Sequence, residues 1–590
     1  MAHALQSGLR DGGLRRGGLH AGLGNGSIFN IASLDLNFAK YKNIGSLVTF
    51  TRASSGTFVD SSGVLRSAVT NLVLRSEEFD TSWVRFGTTT LTTNTVTAPN
   101  GTLTADNIVF TSASAGIYQT VTGLASTTYT FSIWIKSSSS TQVRIVINTN
   151  LSDPVIQTVT VTSAWQRFNI SKTTSAGTNS ISAQVQDNGS GGTQFDLWGA
   201  QLEQSSTVGE YIPTTSVINS APRFDHNPTT GESLGLLVEE QRTNSVVNSN
   251  SMTAVVTGSP GTLPTGYSAQ GNTGGWTREV IGSGSIGALN YVDIRFSGTP
   301  TGSQFSVGFQ SQGVVAASNG QSWAASVYHQ LVGGAISNIG CYGAANLWNS
   351  SVAFIGSLAI SPSSFVPTST LQRFGGGGTI SAATTASINW GITFTCTIGN
   401  TYDFTIRFAG PQLELGAFPT SYIPTTTAAA TRSADVASIT GTAFSSWYRQ
   451  DEGTVFVNGS APRVVESAGG FLTLNDPAGG NRIDIRQYRH QPFLQGGGGS
   501  STTWSGILPT ITPNVNFMQA VAYSSSSQGN AISGVLEQST TALLPIVATR
   551  MALAMRDGQT APSGNTGGTF KRICFWPQRL ANNTLQSITQ

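Results

Sequence analysis

Three adjacent carboxylate pairs are the residues whose types best suit hydrolytic chemistry: Glu77-Glu78, Glu239-Glu240 and Asp451-Glu452. A glycosidase needs two carboxyl groups about 5–10 Å apart across a cleft. Because neighbouring residues of a strand point to opposite faces, none of these pairs fits that arrangement. None of the five histidines lies in a Gly-x-Ser-x-Gly or His-Glu-x-x-His setting. We therefore expect no enzymatic activity.

Metal ligands are the second chemistry to consider. The stretch Asp225 to Glu232 offers carboxylate, amide and imidazole groups, but it lacks the alternating Asp/Asn pattern of a calcium loop. Asn227-Pro228 and Gly231 are typical of a plain turn. The three cysteines (Cys341, Cys396 and Cys574) are too scattered for a zinc cluster or a disulfide framework. For this loop we expect a turn rather than a metal site, and we expect no cofactor.

Two aromatic residues, Trp134 and Tyr328, are candidates for binding a glycan. From Tyr129 to Lys136 apolar residues alternate with others, which predicts a half-buried strand with Trp134 on its polar face. The strand containing Trp323, Ala325 and Val327 places Tyr328 in the same way. An exposed ring can contact the C–H face of a sugar while nearby polar groups bind its hydroxyls. Alternatively, both rings pack against a neighbouring domain or subunit.

The charge balance argues against nucleic acid as a partner. The chain has 30 basic and 28 acidic residues, a net charge of +2, and only 10% of its residues are charged. No strong positive field is therefore available to attract a polyanion. Arg482 and Arg486, near Arg489 and His490, have Asp484 between them, which favours a solvated ladder or a subunit contact.

The composition predicts an all-β protein. Of 590 residues, 68 are glycine and about a quarter are Ser or Thr, all of which form helices poorly. The longest apolar stretch, residues 543–555, is broken by Pro545 and Arg550 and is too short to cross a bilayer. We expect no membrane insertion.

An internal repeat defines two modules. Gly199-Ala-Gln-Leu-Glu203 followed by Tyr211-Ile-Pro-Thr-Thr215 recurs, 211 residues later, as Gly410-Pro-Gln-Leu-Glu414 followed by Tyr422-Ile-Pro-Thr-Thr426. Upstream, Trp165-Gln-Arg-Phe168 matches Leu371-Gln-Arg-Phe374, and Thr70-Asn71 matches Thr243-Asn244. We therefore assign residues 70–217 and 243–427 to two copies of one jelly roll or β-sandwich.

The remaining chain comprises an arm, two connecting segments and a third sandwich. Residues 1–45 contain repeated Gly-Leu pairs whose spacing fits neither helix nor strand. They form a docking arm that orders on a partner, or a flexible tail; the candidate docking residues are Leu9, Leu14, Arg15, Arg16, Leu19 and Leu23. Residues 46–69 and 218–242 connect the modules. Alternation at 453–457 and 482–486 predicts a third sandwich over 428–590.

Several stretches resemble bacteriophage virion proteins. Arg52–Asp60 and Pro222–Asn244 resemble signature stretches of phage tail-fibre and head-fibre proteins. The beginnings and ends of the repeated modules are similar to the carbohydrate-binding-module-like jelly rolls of such fibres. The final strand and the turn at Arg579-Leu580 resemble the closing segment of concanavalin A-like lectin domains. No catalytic or sugar-contacting residue belongs to these motifs, so none is transferred to this chain.

This resemblance implies an insertion. In the similar proteins the first two stretches lie close together in sequence, whereas here the first module separates them. Insertion is tolerated when the termini of a module lie close together. We predict that residues 49–66 pack beside residues 221–243.

The resemblance also implies a function. We expect a fibre or appendage on the virion surface, assembled in the host cytoplasm and bound through its N-terminal arm to other virion proteins. Its sandwiches would bind host cell-surface glycans, and a homotrimer would add avidity. The alternatives are a head-fibre, decoration or neck protein without a receptor role, and a glycan-degrading tailspike.

Overall fold

The computed structural model describes residues 28–590 except 253, 270–273, 464–469, 479, 487–491, 500, 503, 505–508, 510, 544 and 556–566. The six candidate docking residues, Leu9, Leu14, Arg15, Arg16, Leu19 and Leu23, therefore lie outside the described residues. So do Arg489 and His490 of the basic cluster.

The chain is almost entirely antiparallel β-structure, which confirms the predicted all-β class. The strands before the first module are β1 (Leu34–Leu36), β2 (Thr49–Thr51), β3 (Thr57–Val59) and β4 (Leu65–Ser67). Those of the first module are β5 (Thr70–Asn71), β6 (Val84–Phe86), β7 (Thr89–Val96), β8 (Ala105–Phe110), β9 (Gly116–Thr122), β10 (Thr128–Lys136), β11 (Thr141–Thr149), β12 (Val155–Val161), β13 (Gln166–Thr173), β14 (Ser180–Asp187) and β15 (Thr193–Glu203).

The strands after the first module follow the same short, turn-separated pattern. The connecting strands are β16 (Asn219–Ser220), β17 (Arg223–His226), β18 (Ser233–Glu239) and β19 (Arg242–Asn244). The second module contains β20 (Ser268–Ala269), β21 (Trp276–Ile286), β22 (Leu289–Gly298), β23 (Gln304–Gly308), β24 (Val315–Ala316), β25 (Ser322–Ala335), β26 (Gly340–Trp348), β27 (Phe354–Leu358), β28 (Ser364–Phe365), β29 (Gln372–Thr379), β30 (Ser387–Thr395) and β31 (Tyr402–Leu415). The last strands are β32 (Ala430–Arg432), β33 (Val436–Thr440), β34 (Gly453–Ser460), β35 (Gly470–Asn475), β36 (Arg482–Arg486), β37 (Phe493–Gln495), β38 (Phe517–Tyr523), β39 (Gln528–Ile532), β40 (Val535–Ser539), β41 (Arg550–Leu553) and β42 (Gly567–Trp576).

The helices of the described chain are short. They are α1 (Phe38–Tyr41), α2 (Gly441–Ser445) and α3 (Asn582–Ile588), together with 3₁₀ turns at Phe29–Ile31 and Gly497–Gly499. The side chain of Asn37 caps α1 by accepting a hydrogen bond from the Lys40 amide. No helix of the described residues is long and apolar enough to cross a membrane.

The chain divides into two compact units. The smaller comprises Thr51–Ser55 and Ser67–Ala221, and the larger comprises the described residues of 28–50, 56–66 and 222–590. The smaller unit is a sandwich of two five-stranded sheets, β13-β10-β15-β8-β7 and β12-β11-β14-β9-β6. Its core contains Tyr129, Phe131 and Ile133, as the alternation of β10 predicts.

The second module, in the larger unit, repeats this architecture. Sheet β21-β22-β31-β25-β29 faces a sheet ordered β20-β23-β30-β26-β27, to which β24 and β28 add through β30 and β26. Trp323, Ala325 and Val327 of β25 lie in the core, as predicted. A two-stranded pair lies at the ends of each module: β5 with β16 in the smaller unit, and β19 with β32 in the larger.

The C-terminal sandwich takes strands from several parts of the chain. One sheet has the order β17-β18-β42-β34-β38-β39-β40, with β1 also on β42, and the other has the order β2-β33-β41-β35-β36-β37. Leu34 lies opposite Phe575, and Leu34 and Leu36 are buried in the core. Residues 34–36 thus belong to this sandwich, whereas we predicted a docking arm up to residue 45. A three-residue strand is too short to show a periodicity, so the sequence did not reveal it.

The two connecting segments meet within the larger unit. Val59 donates its amide to Asp225 Oδ1 at 2.7 Å, and Arg223 Nη1 donates to the Thr57 carbonyl at 2.9 Å. His226 Nδ1 lies 3.0 Å from the Val59 carbonyl oxygen. These contacts confirm the predicted packing of the 49–66 stretch beside 221–243.

Candidate functional site

Aromatic side chains gather on the polar face of one sheet of the first module. Trp134 of β10 lies directly opposite Trp198 of β15, with ring centroids 5.3 Å apart. Tyr211, which follows β15, lies 5.4 Å from Trp134 and 4.7 Å from Trp198. Trp165 packs against the same group. We call Trp134, Trp165, Trp198 and Tyr211 the aromatic cluster; it is separate from the module core.

Local backbone geometry places these rings. Gly199 has φ +64°, and a Cβ added there would lie 2.9 Å from the Trp134 ring, so this position requires glycine. The register of β10 against β15 shifts between Ser132 and Trp134, as at a β-bulge. The bulge brings the two indoles together on one face.

Hydrogen bonds hold the polar edges of the rings. Trp198 Nε1 donates to Thr104 Oγ1 at 3.0 Å, and Trp165 Nε1 donates to the Thr97 carbonyl at 3.0 Å. The Tyr211 hydroxyl donates to Glu77 Oε1 at 3.1 Å. Burial raises the pKa of Glu77, although its hydrogen bonds to neighbouring side chains oppose the shift. Hydrogen bonds therefore hold three of the four rings, and Trp134 is held by its contacts with Trp198 and Tyr211.

Cationic side chains lie over two of the rings. The Arg167 guanidinium lies 4.4 Å from the Trp134 centroid, and Lys136 Nζ lies 4.9 Å from that of Trp165. Arg167 Nη1 donates to the Gly209 carbonyl at 2.7 Å, while its Nε and Nη2 are buried without a hydrogen-bond partner. Burial lowers the pKa of Arg167. The cluster thus combines aromatic rings with unused N–H donors.

A polar row continues the same face. Asn107 of β8 lies opposite Asp196 of β15, and its Nδ2 donates to Asp196 Oδ1 at 2.7 Å. Gln194 Nε2 donates to Asn107 Oδ1 at 3.1 Å. Aromatic rings beside amide and carboxylate groups form the combination that binds sugars.

The second module has an equivalent but altered arrangement. Tyr328 lies opposite Ala409, as Trp134 lies opposite Trp198. Its ring is 6.3 Å from that of Tyr422, and the Arg373 guanidinium is 5.5 Å from its centroid. Leu65 packs with Ala409 and Tyr422 where the first module has an indole. The second site is therefore less aromatic and partly covered by another segment.

The structure places both predicted glycan-binding residues at matching positions. Trp134 and Tyr328 are, however, half-buried rather than openly exposed, because each is flanked by an arginine and a tyrosine. Their role in binding stays a prediction. Sequence reasoning missed Arg167 and Arg373, although both stand in the repeated Gln-Arg-Phe motif that could have revealed them.

The carboxylate pairs considered for hydrolysis make structural contacts. Glu239 Oε2 lies 2.8 Å from Arg223 Nη2 and 3.2 Å from Arg432 Nη1. Burial opposes ionisation of Glu239, but the two arginines outweigh it and lower its pKa to about 2. Glu240 pairs with Arg242, Glu78 with Arg75, and Asp451 with Arg449.

The loop considered for metal binding is a hairpin turn. Asn227 Oδ1 accepts hydrogen bonds from the Thr229 and Thr230 amides, and Glu232 pairs with Lys571. Among the residues that the structure describes, no group of three or more His, Cys, Asp or Glu side chains is placed to hold a metal ion.

The basic cluster on β36 is also internally paired. Asp484 lies between Arg482 and Arg486, at 3.8 Å and 3.5 Å, and both guanidinium groups lie 4.4 Å from the Phe493 ring.

A cavity of about 770 Å³ elsewhere in the C-terminal sandwich is lined by Phe444, Tyr448 and other residues of α2 and the strands around it. Its residues Arg449 and Asp451 pair with each other.

No family model and no curated protein sequence matches this chain. Solved structures with similarity include carbohydrate-binding modules and phage tail or baseplate proteins. The tandem CBM22-1-CBM22-2 domain of Paenibacillus barcinonensis Xyn10C is 13% identical, covers 59% of this chain and 98% of its own, and has a TM-score of 0.21. The tripod from the baseplate of bacteriophage Tuc2009 is 12% identical, with 52% and 99% coverage and a TM-score of 0.18. The enzymatically active domain of tailspike protein 4 of bacteriophage CBA120 is 15% identical, with 22% and 21% coverage and a TM-score of 0.19.

Proposed function

We propose that this chain is a glycan-binding protein of a phage appendage and that the aromatic cluster of the first module binds the glycan. One observation carries the proposal: four aromatic rings and Arg167 lie together on the face of a sheet whose other face already forms the core. Trp198 is buried with Ala98 and Ala105, whereas Trp134, Trp165 and Tyr211 are half-buried and keep part of their surface accessible.

The chemistry of the cluster suits a sugar. Aromatic rings offer large apolar faces with little conformational entropy to lose, and sugars present C–H groups to such faces. Arg167 holds the Trp134 ring by lying over it, while Glu77, Asn107 and Asp196 supply acceptors for hydroxyl groups. The side chains are held by hydrogen bonds, so binding costs little reorganisation.

The virion role rests on the resemblance of Arg52–Asp60 and Pro222–Asn244 to fibre proteins. In this proposal the N-terminal arm attaches the chain to other virion proteins, and three copies form a homotrimer that gains avidity from several weak sites. We also propose that the chain binds glycans without cleaving them, because Glu239, Glu240 and Asp451 are engaged in ion pairs.

The test is binding of the fluorescently labelled full-length protein to a glycan array and to intact host cells. Trp165→Ala and Trp134→Ala should each weaken binding about tenfold or more, since stacking on an aromatic ring is lost. Tyr342→Ala is the matched control, because Tyr342 is 41% exposed on a strand of the second module. It should bind like the unmodified protein.

The same preparation should compete with phage adsorption. If correctly assembled Trp165→Ala and Trp134→Ala proteins bind as well as the unmodified chain, the aromatic cluster is not the site. If the unmodified chain binds no glycan and no cell, the receptor role is refuted, and a decoration or neck protein becomes the better explanation.

A further inference from the structure

The larger unit contains a cavity of about 580 Å³ beside Tyr328. Five short segments enclose it: the β3–β4 hairpin, the turn at Pro228 and Thr229, the β21–β22 hairpin, the loop from Pro362 to Val366, and the start of β29. Its volume lies within the range of about 300–1,000 Å³ that small-molecule sites occupy. The cavity is distinct from the aromatic cluster, which belongs to the smaller unit.

The cavity wall is mainly apolar and carries one charge. Val64, Leu65, Leu289, Phe365 and Leu371 supply apolar surface. Among the described residues that line the cavity, Arg373 is the single charged side chain. An isolated guanidinium in an apolar wall attracts an anionic group, and its planar fork matches a carboxylate.

Arg373 has hydrogen-bonding capacity to spare. Its Nη2 donates to Ser326 Oγ at 2.8 Å, but its Nε is buried without a partner. Asp225 and Glu239, the two carboxylates that act electrostatically on the neighbouring Tyr328, already have partners. Asp225 accepts from the Val59 amide, and Glu239 pairs with Arg223 and Arg432. No described carboxylate forms an ion pair with Arg373.

The two sides of β25 contribute differently to the cavity wall. His329 is 2% exposed, and its Nδ1 has no hydrogen-bond partner. Burial lowers the pKa of His329 to about 4, so the imidazole is neutral near pH 7. Its ring lies 4.3 Å from that of Phe365, on the face of β25 opposite to Tyr328, so His329 does not contact a ligand held by Arg373. The Tyr328 ring, which lies opposite Arg373 on the same face, supplies an apolar surface for a sugar.

We infer that this cavity binds a sugar that carries a carboxylate, with the carboxylate on Arg373 and the sugar beside the Tyr328 ring, which lies on the same face of the sheet. The inference deepens the proposed glycan function by adding a second site of different specificity. It can be tested separately from the proposed site in the first module, since it depends on residues of the larger unit alone.

The experiment is saturation-transfer difference NMR on the full-length protein with D-glucuronate and D-galacturonate as probes. D-Glucose and D-galactose are the matched neutral sugars. Arg373→Gln should weaken binding of the acids about tenfold or more, the effect of losing a charge-assisted hydrogen bond. Arg373→Lys should restore part of the affinity, because it keeps the charge without the planar fork. Thermal unfolding of each variant establishes that it is folded.

Arg295→Gln is the control, because Arg295 lies on the same sheet and is paired with Asp403 and Glu279 outside the cavity. It should leave binding of the acids unchanged. Equal binding of acids and neutral sugars, full binding by Arg373→Gln, or no binding of either acid to the unmodified protein would overturn the inference. Trp165→Ala should not affect these probes, which separates this site from the proposed one.

Discussion

One buried asparagine in each module should be indispensable for its stability. Asn71 is fully buried and makes four hydrogen bonds to backbone groups. Its Nδ2 donates to the carbonyls of Ala200 at 2.9 Å and Ile212 at 2.8 Å. Its Oδ1 accepts from the amides of Val73 at 3.3 Å and Leu202 at 3.1 Å. We call this arrangement the clasp, because it joins the first residues of the module to its last strand and to the segment beyond.

The second module repeats the four backbone hydrogen bonds of the clasp. Asn244, also fully buried, donates to Pro411 and Ile423 and accepts from Val246 and Leu413. Asn→Ala leaves four buried backbone groups without a partner, each costing about 1–3 kcal/mol. We therefore expect Asn71→Ala and Asn244→Ala each to reduce the free energy of unfolding of its module by at least about 4 kcal/mol.

Hydrogen exchange followed by mass spectrometry measures the loss of stability of each module separately in the full chain. Asn71→Ala should speed exchange in peptides covering 70–76 and 199–214, and Asn244→Ala in those covering 244–249 and 410–425. Asn150→Ala, in an exposed turn of the first module, is the control and should change exchange only locally. A loss below about 1 kcal/mol in either clasp variant would refute the reasoning, because the orphaned groups would then have found other partners.

Two further predictions concern buried charges of the larger unit. Asp435 is fully buried and pairs with Arg223 at 2.5 Å. Asp435→Asn should therefore lower the free energy of unfolding by about 3–5 kcal/mol, measured by urea unfolding with an unchanged m-value. A loss below about 1 kcal/mol would contradict this prediction. Burial raises the pKa of Asp225 to about 6. Between about pH 4 and 6 the folded chain therefore binds more protons than the unfolded chain, so the free energy of unfolding falls as the pH rises through that window. Asp225→Asn should remove that fall, so its Tm relative to the unmodified protein should rise across the window; a constant difference would show that Asp225 does not titrate there.

The sequence was sufficient to predict the class, the repeat and the strand faces. Alternation over eight residues placed Phe131 and Ile133 in the core correctly, but Thr130 and Ser132, predicted to lie on an exposed polar face, are fully buried as well. The repeated Gln-Leu-Glu and Tyr-Ile-Pro-Thr-Thr stretches marked equivalent positions without revealing their purpose. The structure supplies it: Gln201 and Gln412 each accept from the amide of the isoleucine in the second stretch, at 2.8 Å and 2.7 Å.

Other features depend on contacts between residues distant in sequence. The strand at Leu34–Leu36 pairs with Ile573–Phe575, more than five hundred residues away, and nothing local marks a three-residue strand. Likewise, the burial of Trp134 and Tyr328 is set by arginines and tyrosines from other strands. The cavity beside Tyr328 needs the connecting hairpin at 57–67, which no repeat pattern includes.

Comparison of the two modules separates residues that maintain the fold from those available for binding. The clasp is the same in both copies, down to the Thr214 and Thr425 hydroxyls that donate to the carbonyls of Val73 and Val246. Next to it, Trp198 is replaced by Ala409, and Trp165 by Leu371. Packing accounts for part of this difference, because Leu65 packs with Ala409, Tyr422 and Leu371 in the second module where the first module has indoles. The two proposed sites differ accordingly: an aromatic cluster in the first module, and in the second a cavity with one cation in its wall.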